Sequence, residues 1–71
     1  MKTYVVLIEP TSTGFSAYSP DLPGCVAAGK TRELTEKRMR KAVEMHIRQL
    51  QRDGETPPKP LTIAKYVRVA A

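Results

Sequence analysis

The chain has one cysteine and one histidine. A single thiol cannot close an internal disulfide, and one Cys with one His cannot supply the ligand set of a structural zinc site. Long apolar runs are missing too. The amino-terminal run, Tyr4 to Ile8, is too short for the apolar region of a signal peptide. No stretch approaches the roughly 20 residues of a membrane span. These absences predict a cytoplasmic protein with no membrane partner, a compartment where an unpaired Cys25 is ordinary. Aromatic residues make up only 6% of the chain, so no base-stacking platform accompanies its positive charge, and no glycine-rich phosphate motif does either. Acidic residues are the scarcer charge, 7 against 12 Lys and Arg, for a formal net charge of +5. That balance permits acidic partners, nucleic acid included, and also serves solubility.

With 71 residues, one small domain spanning 1–71 is expected. Such a chain buries only about 60% of its unfolded surface. Small domains often add disulfides, metals or self-association. The first two are excluded, so a homodimer or higher oligomer is expected.

The most distinctive stretch is Tyr18-Ser-Pro-Asp-Leu-Pro-Gly-Cys25. Proline fixes φ and removes a backbone donor, so neither Pro20 nor Pro23 suits the middle of a paired strand. Pro20-Asp21 and Pro23-Gly24 both read as turns. Strand-like residues flank them, Phe15 to Tyr18 before and Cys25 to Ala28 after. The stretch is predicted to be a stiff inter-strand connection presenting Asp21 and Leu22 at its tip. A plain hairpin needs only two residues such as Asn-Gly, so this longer loop is either a stable turn or a contact surface.

Taken in order, residues 2–9 predict a first strand with Tyr4, Val6 and Ile8 on one face and Thr3, Val5 and Leu7 on the other. Both faces are largely apolar, as in a strand covered on both sides. One helix covers one face; a second subunit is expected on the other. Residues 10–14 read as a turn, 15–18 as a second strand and 25–28 as a third. Thr31 is a suitable N-cap for a helix over 32–53, stopped at Gly54. Thr35, Met39, Ala42, Val43, His46 and Leu50 recur at spacings of three and four, with Ile47 alongside, giving one apolar stripe. His46 reads best as a packed histidine bonded to backbone, since no nucleophile or metal partner is near it in sequence. The polar face is rich in Arg and Lys. Arg38, Arg40 and Lys41 are the candidates for contact with a phosphate backbone, against the plainer alternative of a solvated face whose Glu33–Lys37, Glu36–Arg40 and Glu44–Arg48 spacings suit ion pairing. Three prolines in 54–60 predict an extended linker. Residues 61–69, rich in β-branched side chains, predict a fourth strand parallel to the first. The expected fold class is α+β, a β-β-β-α-β chain with sheet order 3-2-1-4 and one long helix on one face.

The run Phe15-Ser-Ala-Tyr-Ser-Pro-Asp-Leu-Pro-Gly-Cys25, followed by Ala28-Gly-Lys-Thr-Arg-Glu33, closely resembles the HicB-like antitoxin family. The helix with His46 on its apolar seam and the prolines at 57, 58 and 60 extend the likeness over nearly the whole chain. The resemblance implies a truncated RNase H-like fold. It also implies a partner, a small basic RNA-cleaving toxin of the HicA type, which the antitoxin covers and blocks. Many family members add a DNA-binding domain after this one; none is visible in this sequence, so a solitary HicB domain is expected. On this view the partner-binding candidates are Tyr18, Pro20, Asp21, Leu22, Pro23 and Gly24, with Asp21 meeting a basic surface and Leu22 and Tyr18 supplying apolar contact. The competing possibility is an orphan oligomer that binds nucleic acid through Arg38, Arg40 and Lys41. An RNase H-like nuclease would hold two metal ions between several carboxylates. Glu9 and Asp21 have no evident acidic companions, so no catalysis, metal or cofactor is expected.

Overall fold

The computed structural model describes residues 2–71. Three strands form an antiparallel sheet in the order β1-β2-β3: β1 is Leu7–Pro10, β2 is Phe15–Tyr18 and β3 is Val26–Gly29. The turn between β1 and β2 closes through Thr11 N donating to Gly14 O at 2.8 Å. Register pairs Ile8 with Ala17 and Ala17 with Ala27 on the face toward the helix; Leu7, Tyr18 and Val26 align on the opposite face.

Helix α1, Arg32–Arg52, follows β3. Its start is fixed as the capping rule requires: Thr31 is extended, and its Oγ1 accepts from Leu34 N at 3.1 Å. Its end is a Schellman motif. Glu55 N donates to Leu50 O and Gly54 N to Gln51 O, with Gly54 at φ +75°. The small side chains of β3 let the helix lie close. A Cβ on Gly29 would stand 2.9 Å from the Thr35 hydroxyl. The core is small: Ala17, Leu22, Cys25 and Met39 are buried, with Tyr4, Val6, Ile8, Ala27, Ala42, Val43 and Ile47 packed around them. The apolar stripe of the helix is therefore as expected, buried at Thr35 and Met39 and half-buried beyond them.

Two strand expectations need correction. The first strand is paired only over Leu7–Pro10, not from residue 2. Leu7 already faces Tyr18, the last residue of β2, so residues 2–6 run past the end of their partner. The fourth strand at 61–69 does not form: this segment has no regular structure and pairs with nothing, so the sheet has three strands rather than the order 3-2-1-4. A strand exists only when a neighbour takes its backbone groups, and β propensity alone does not supply one. Leu61, Ile63, Val67 and Val69 are left exposed, and Tyr66 is wholly exposed.

Candidate partner-binding surface

The connection between β2 and β3 is two successive turns joined at one buried residue. Leu22 N donates to Ser19 O at 3.1 Å, and Cys25 N donates to Leu22 O at 3.1 Å. Pro20 and Pro23 each occupy the second position of a turn, where a fixed φ is already correct. Gly24, at φ +82°, takes the left-handed position of the second turn, as a type II turn requires. Leu22 ends the first turn and begins the second, and its side chain is only 1% exposed. This corrects the expectation that Leu22 stands at the tip. It anchors the loop in the core, and Pro20, Pro23 and Gly24 are what the loop shows to solvent. The Ser19 side chain is also buried, and its Oγ has no hydrogen-bond partner among the described residues.

Asp21 is engaged within the chain. Thr62 N donates to one carboxylate oxygen at 2.9 Å and the Thr62 hydroxyl donates to the other at 3.0 Å. The loop is thus tied to the segment after the proline linker, across 41 residues of sequence. Nothing in the local sequence signals that contact, and Thr62 was not among the candidate residues.

Beside the loop lies an apolar surface that sequence reasoning missed in part. Tyr18 and Val26 are cross-strand partners, 40% and 65% exposed. Gly24, Cys25 and Val26 line a shallow hollow with Ala42, Met45 and His46 of the helix. Met45 is exposed there, and His46 is half-buried. No hydrogen bond to His46 is present among the described residues, so the expected backbone bond is not what holds it. Cys25 is buried, and burial pushes its thiol pKa above the ordinary value. A thiol held neutral in this way is a packing group rather than a nucleophile at neutral pH.

The three basic candidates are not brought together. Arg38 lies on the β3 side, where Nη1 donates to Ala28 O at 2.8 Å. Arg40 lies on the β1 side, lining a hollow with Lys2, Tyr4 and Val6. At 100° per residue the two are about 200° apart around the helix, and only Lys41 shares the Arg38 flank. Of the expected helix ion pairs, Glu44–Arg48 forms at 3.9 Å, on an exposed surface where such pairs contribute little. Among the described residues no group of three or more His, Cys, Asp or Glu is placed to hold a metal ion. No described helix is long and apolar enough to cross a membrane.

Comparison with known proteins adds two findings. A family model described as HicB_like antitoxin of bacterial toxin-antitoxin system matches residues 4–70. An uncharacterized 14.9 kDa protein in the rep-hol intergenic region of Haemophilus phage HP1 is 33% identical over 64 residues. The match takes in 90% of this chain and 48% of that protein, so the chain spans about half the length of the curated relative it matches.

Proposed function

The chain belongs to the HicB-like antitoxin family of bacterial toxin-antitoxin systems, and from that premise we propose that it binds and inhibits a HicA-type RNA-cleaving toxin in the cytoplasm. It acts as an inhibitory binding module and not as a catalyst. The observation that carries this is the family match over residues 4–70, which contains the whole proline loop and both strands beside it.

The surface best suited to the toxin is the outer side of that loop with the Tyr18–Val26 pair. Its backbone is already held by two turns and the buried Leu22, so docking would cost little ordering entropy. Tyr18 brings an aromatic body with a polar end, the kind of residue that dominates interface energetics. Asp21 is less suited to direct contact, because Thr62 already donates to both of its carboxylate oxygens. Leu22 acts from beneath, as the support of the loop. No arrangement of side chains favours nucleic acid in the same way, since Arg38 and Arg40 lie on opposite flanks.

The test is RNA cleavage by a purified HicA-type toxin from the same source, with increasing amounts of the chain. Cleavage should stop near stoichiometric addition, in a complex that survives moderate salt and nuclease treatment. Undiminished cleavage at large excess would sink the proposal. Tyr18→Glu and Val26→Glu should each weaken the complex by roughly tenfold or more while leaving the helical signal intact, the range of a central contact.

A further inference from the structure

At the end of the sheet away from the proline loop, separate parts of the chain converge on one hollow of about 420 Å³. The β1–β2 turn brings Thr11 and Thr13, the start of β2 brings Phe15 and Ser16, and Lys30 and Arg38 stand on the side of β3 and the helix. The turn is held by Thr11 N donating to Gly14 O at 2.8 Å and by Thr13 N donating to Thr11 Oγ1 at 3.3 Å. It is also seated hard against the end of β3, where a Cβ on Gly14 would collide with Gly29 O. The wall is therefore backbone packed on backbone, with little room to shift. Ala28 and Gly29, which also line the hollow, add almost no side-chain bulk and leave the space open.

The lining holds two cations, three hydroxyls and one aromatic ring, and no carboxylate. The hollows along β1 differ, because Glu36 or Glu44 stands among their Lys and Arg. Helix geometry explains the contrast. Glu33, Glu36 and Glu44 all lie about 120° or more around the axis from Arg38. Glu33 lies against Arg32 and Glu44 against Arg48, each at 3.9 Å, while neither Lys30 nor Arg38 forms an ion pair among the described residues. Glu9 is the cross-strand partner of Ser16, but it stands two strand spacings, about 10 Å, from Ala28 and is not part of the lining. Arg38 is already aimed. Its Nη1 donates to Ala28 O at 2.8 Å, which fixes the guanidinium over the strand end, and its other N–H groups have no partner among the described residues.

We propose that this hollow binds a phosphate group, with Lys30 and Arg38 taking its charge and the hydroxyls of Thr11, Thr13 and Ser16 donating to its remaining oxygens. A phosphate monoester carries about −1.5 to −2 charges and three strong acceptor oxygens, which matches two unpaired cations ringed by hydroxyl donors. The planar fork of Arg38 suits two of those oxygens at once. A carboxylate, with two oxygens in one plane and one charge, leaves donors on both sides of the hollow unused. A lone phosphate does not fill the space, whose volume lies within the roughly 300–1,000 Å³ of small-molecule sites. Phe15 gives the rest of the ligand an apolar wall, so a mononucleotide is the plainest full-sized occupant. The hollow sits at the other ends of β2 and β3 from Tyr18 and Val26. The inference does not depend on the toxin.

The experiment is a titration of the isotope-labelled full chain with adenosine monophosphate and, separately, with inorganic phosphate, at constant ionic strength and followed by amide chemical shifts. Expected are saturable shifts over 11–16 and 28–31. Lys30 makes no bond within the described chain, so Lys30→Gln should keep the fold and weaken binding by roughly tenfold or more, as loss of a hydrogen bond to a charged group does. Arg38→Gln should weaken it at least as much. Arg40→Gln removes the same charge from the opposite flank and should change affinity by no more than about twofold, since salt screens it there. Tighter binding of the nucleotide assigns the site to mononucleotides, and equal affinities assign it to free phosphate; either keeps the phosphate site. Absence of saturation by about 10 mM of both ligands overturns the proposal. So do shifts scattered over the basic surface, an affinity that Lys30→Gln leaves unchanged, or a loss as large in Arg40→Gln as in Arg38→Gln.

Discussion

Two proline-bearing stretches of this chain, 19–25 and 54–69, have similar ingredients and opposite fates. Each combines turn residues with aliphatic side chains, and each contains a glycine at positive φ, Gly24 in one and Gly54 in the other. In the first, Leu22 is 1% exposed; in the second, Leu61 is 76% exposed. The difference is not hydrophobicity. The first stretch returns within seven residues to a strand paired with its neighbour, so the helix has a fixed surface to cover. The second leaves the helix through a stiff linker tied at Pro57, Pro58 and Thr62, and its aliphatic side chains from Leu61 on stay uncovered. Apolar content expresses a demand for burial, and geometry decides whether one chain can meet it.

The sharpest way to break this comparison is to remove the same side chain from both stretches. Leu22→Ala should destabilise the subunit by about 2–5 kcal/mol, the range of a buried leucine truncation. Leu61→Ala should leave the unfolding of the dilute protein within about 0.5 kcal/mol of the original. Urea titration followed by circular dichroism reads both. Equal losses would mean that the arm is covered in the subunit by itself.

The two glycines sharpen the contrast from the other side, because strain at positive φ is local and ignores burial. Gly24→Ala and Gly54→Ala should each cost about 1–2 kcal/mol, alike in the packed stretch and the bare one. Open space around both positions leaves backbone strain as the only cost. Thr31→Ala, which removes the bond to Leu34 N, should cost about 1 kcal/mol in the same titration.

Asp21→Asn tests the bridge between the two stretches. It keeps the size of the side chain and weakens the hold on Thr62. The Thr62 amide should exchange faster while the midpoint of global unfolding moves little; a midpoint shift as large as that of Leu22→Ala would make the bridge part of the core.

The smallest effect concerns Cys25. Its thiol pKa is raised in the folded state by desolvation. The neutral thiol is therefore the form that folding favours, and its contribution is fully present below the unfolded thiol pKa. It is lost as pH rises through the folded one. Stability should fall slightly in the alkaline range, and Cys25→Ala should flatten that fall. Alkylation at mildly alkaline pH should be slow until the chain unfolds.

How much was legible follows from the range of the forces. Thr31 as N-cap, Gly54 as the stop, the stripe from Thr35 to Leu50 and the turns at Pro20 and Pro23 all depend on residues a few positions apart. Their chemistry is written in order along the chain. The expected loop was right as a loop and wrong about its tip, because whether Leu22 points outward depends on where the helix passes. Arg38, Arg40 and Lys41 looked like one basic group in sequence. The helix turns two of them to opposite sides, where Arg38 meets Ala28 and Arg40 faces the first strand.

By itself, then, the sequence determined the helix and its ends, the second and third strands and the two turns between them. It also carried the family, through the run from Phe15 to Glu33. Only the tertiary structure decided that Leu22 lies inside, that Asp21 holds Thr62 across 41 residues, and that 61–69 goes unpaired. Capping, turn and helix bonds close over a few residues and are specified by their own neighbours. Burial and strand pairing need a second surface in place, and local sequence does not say whether 61–69 has one.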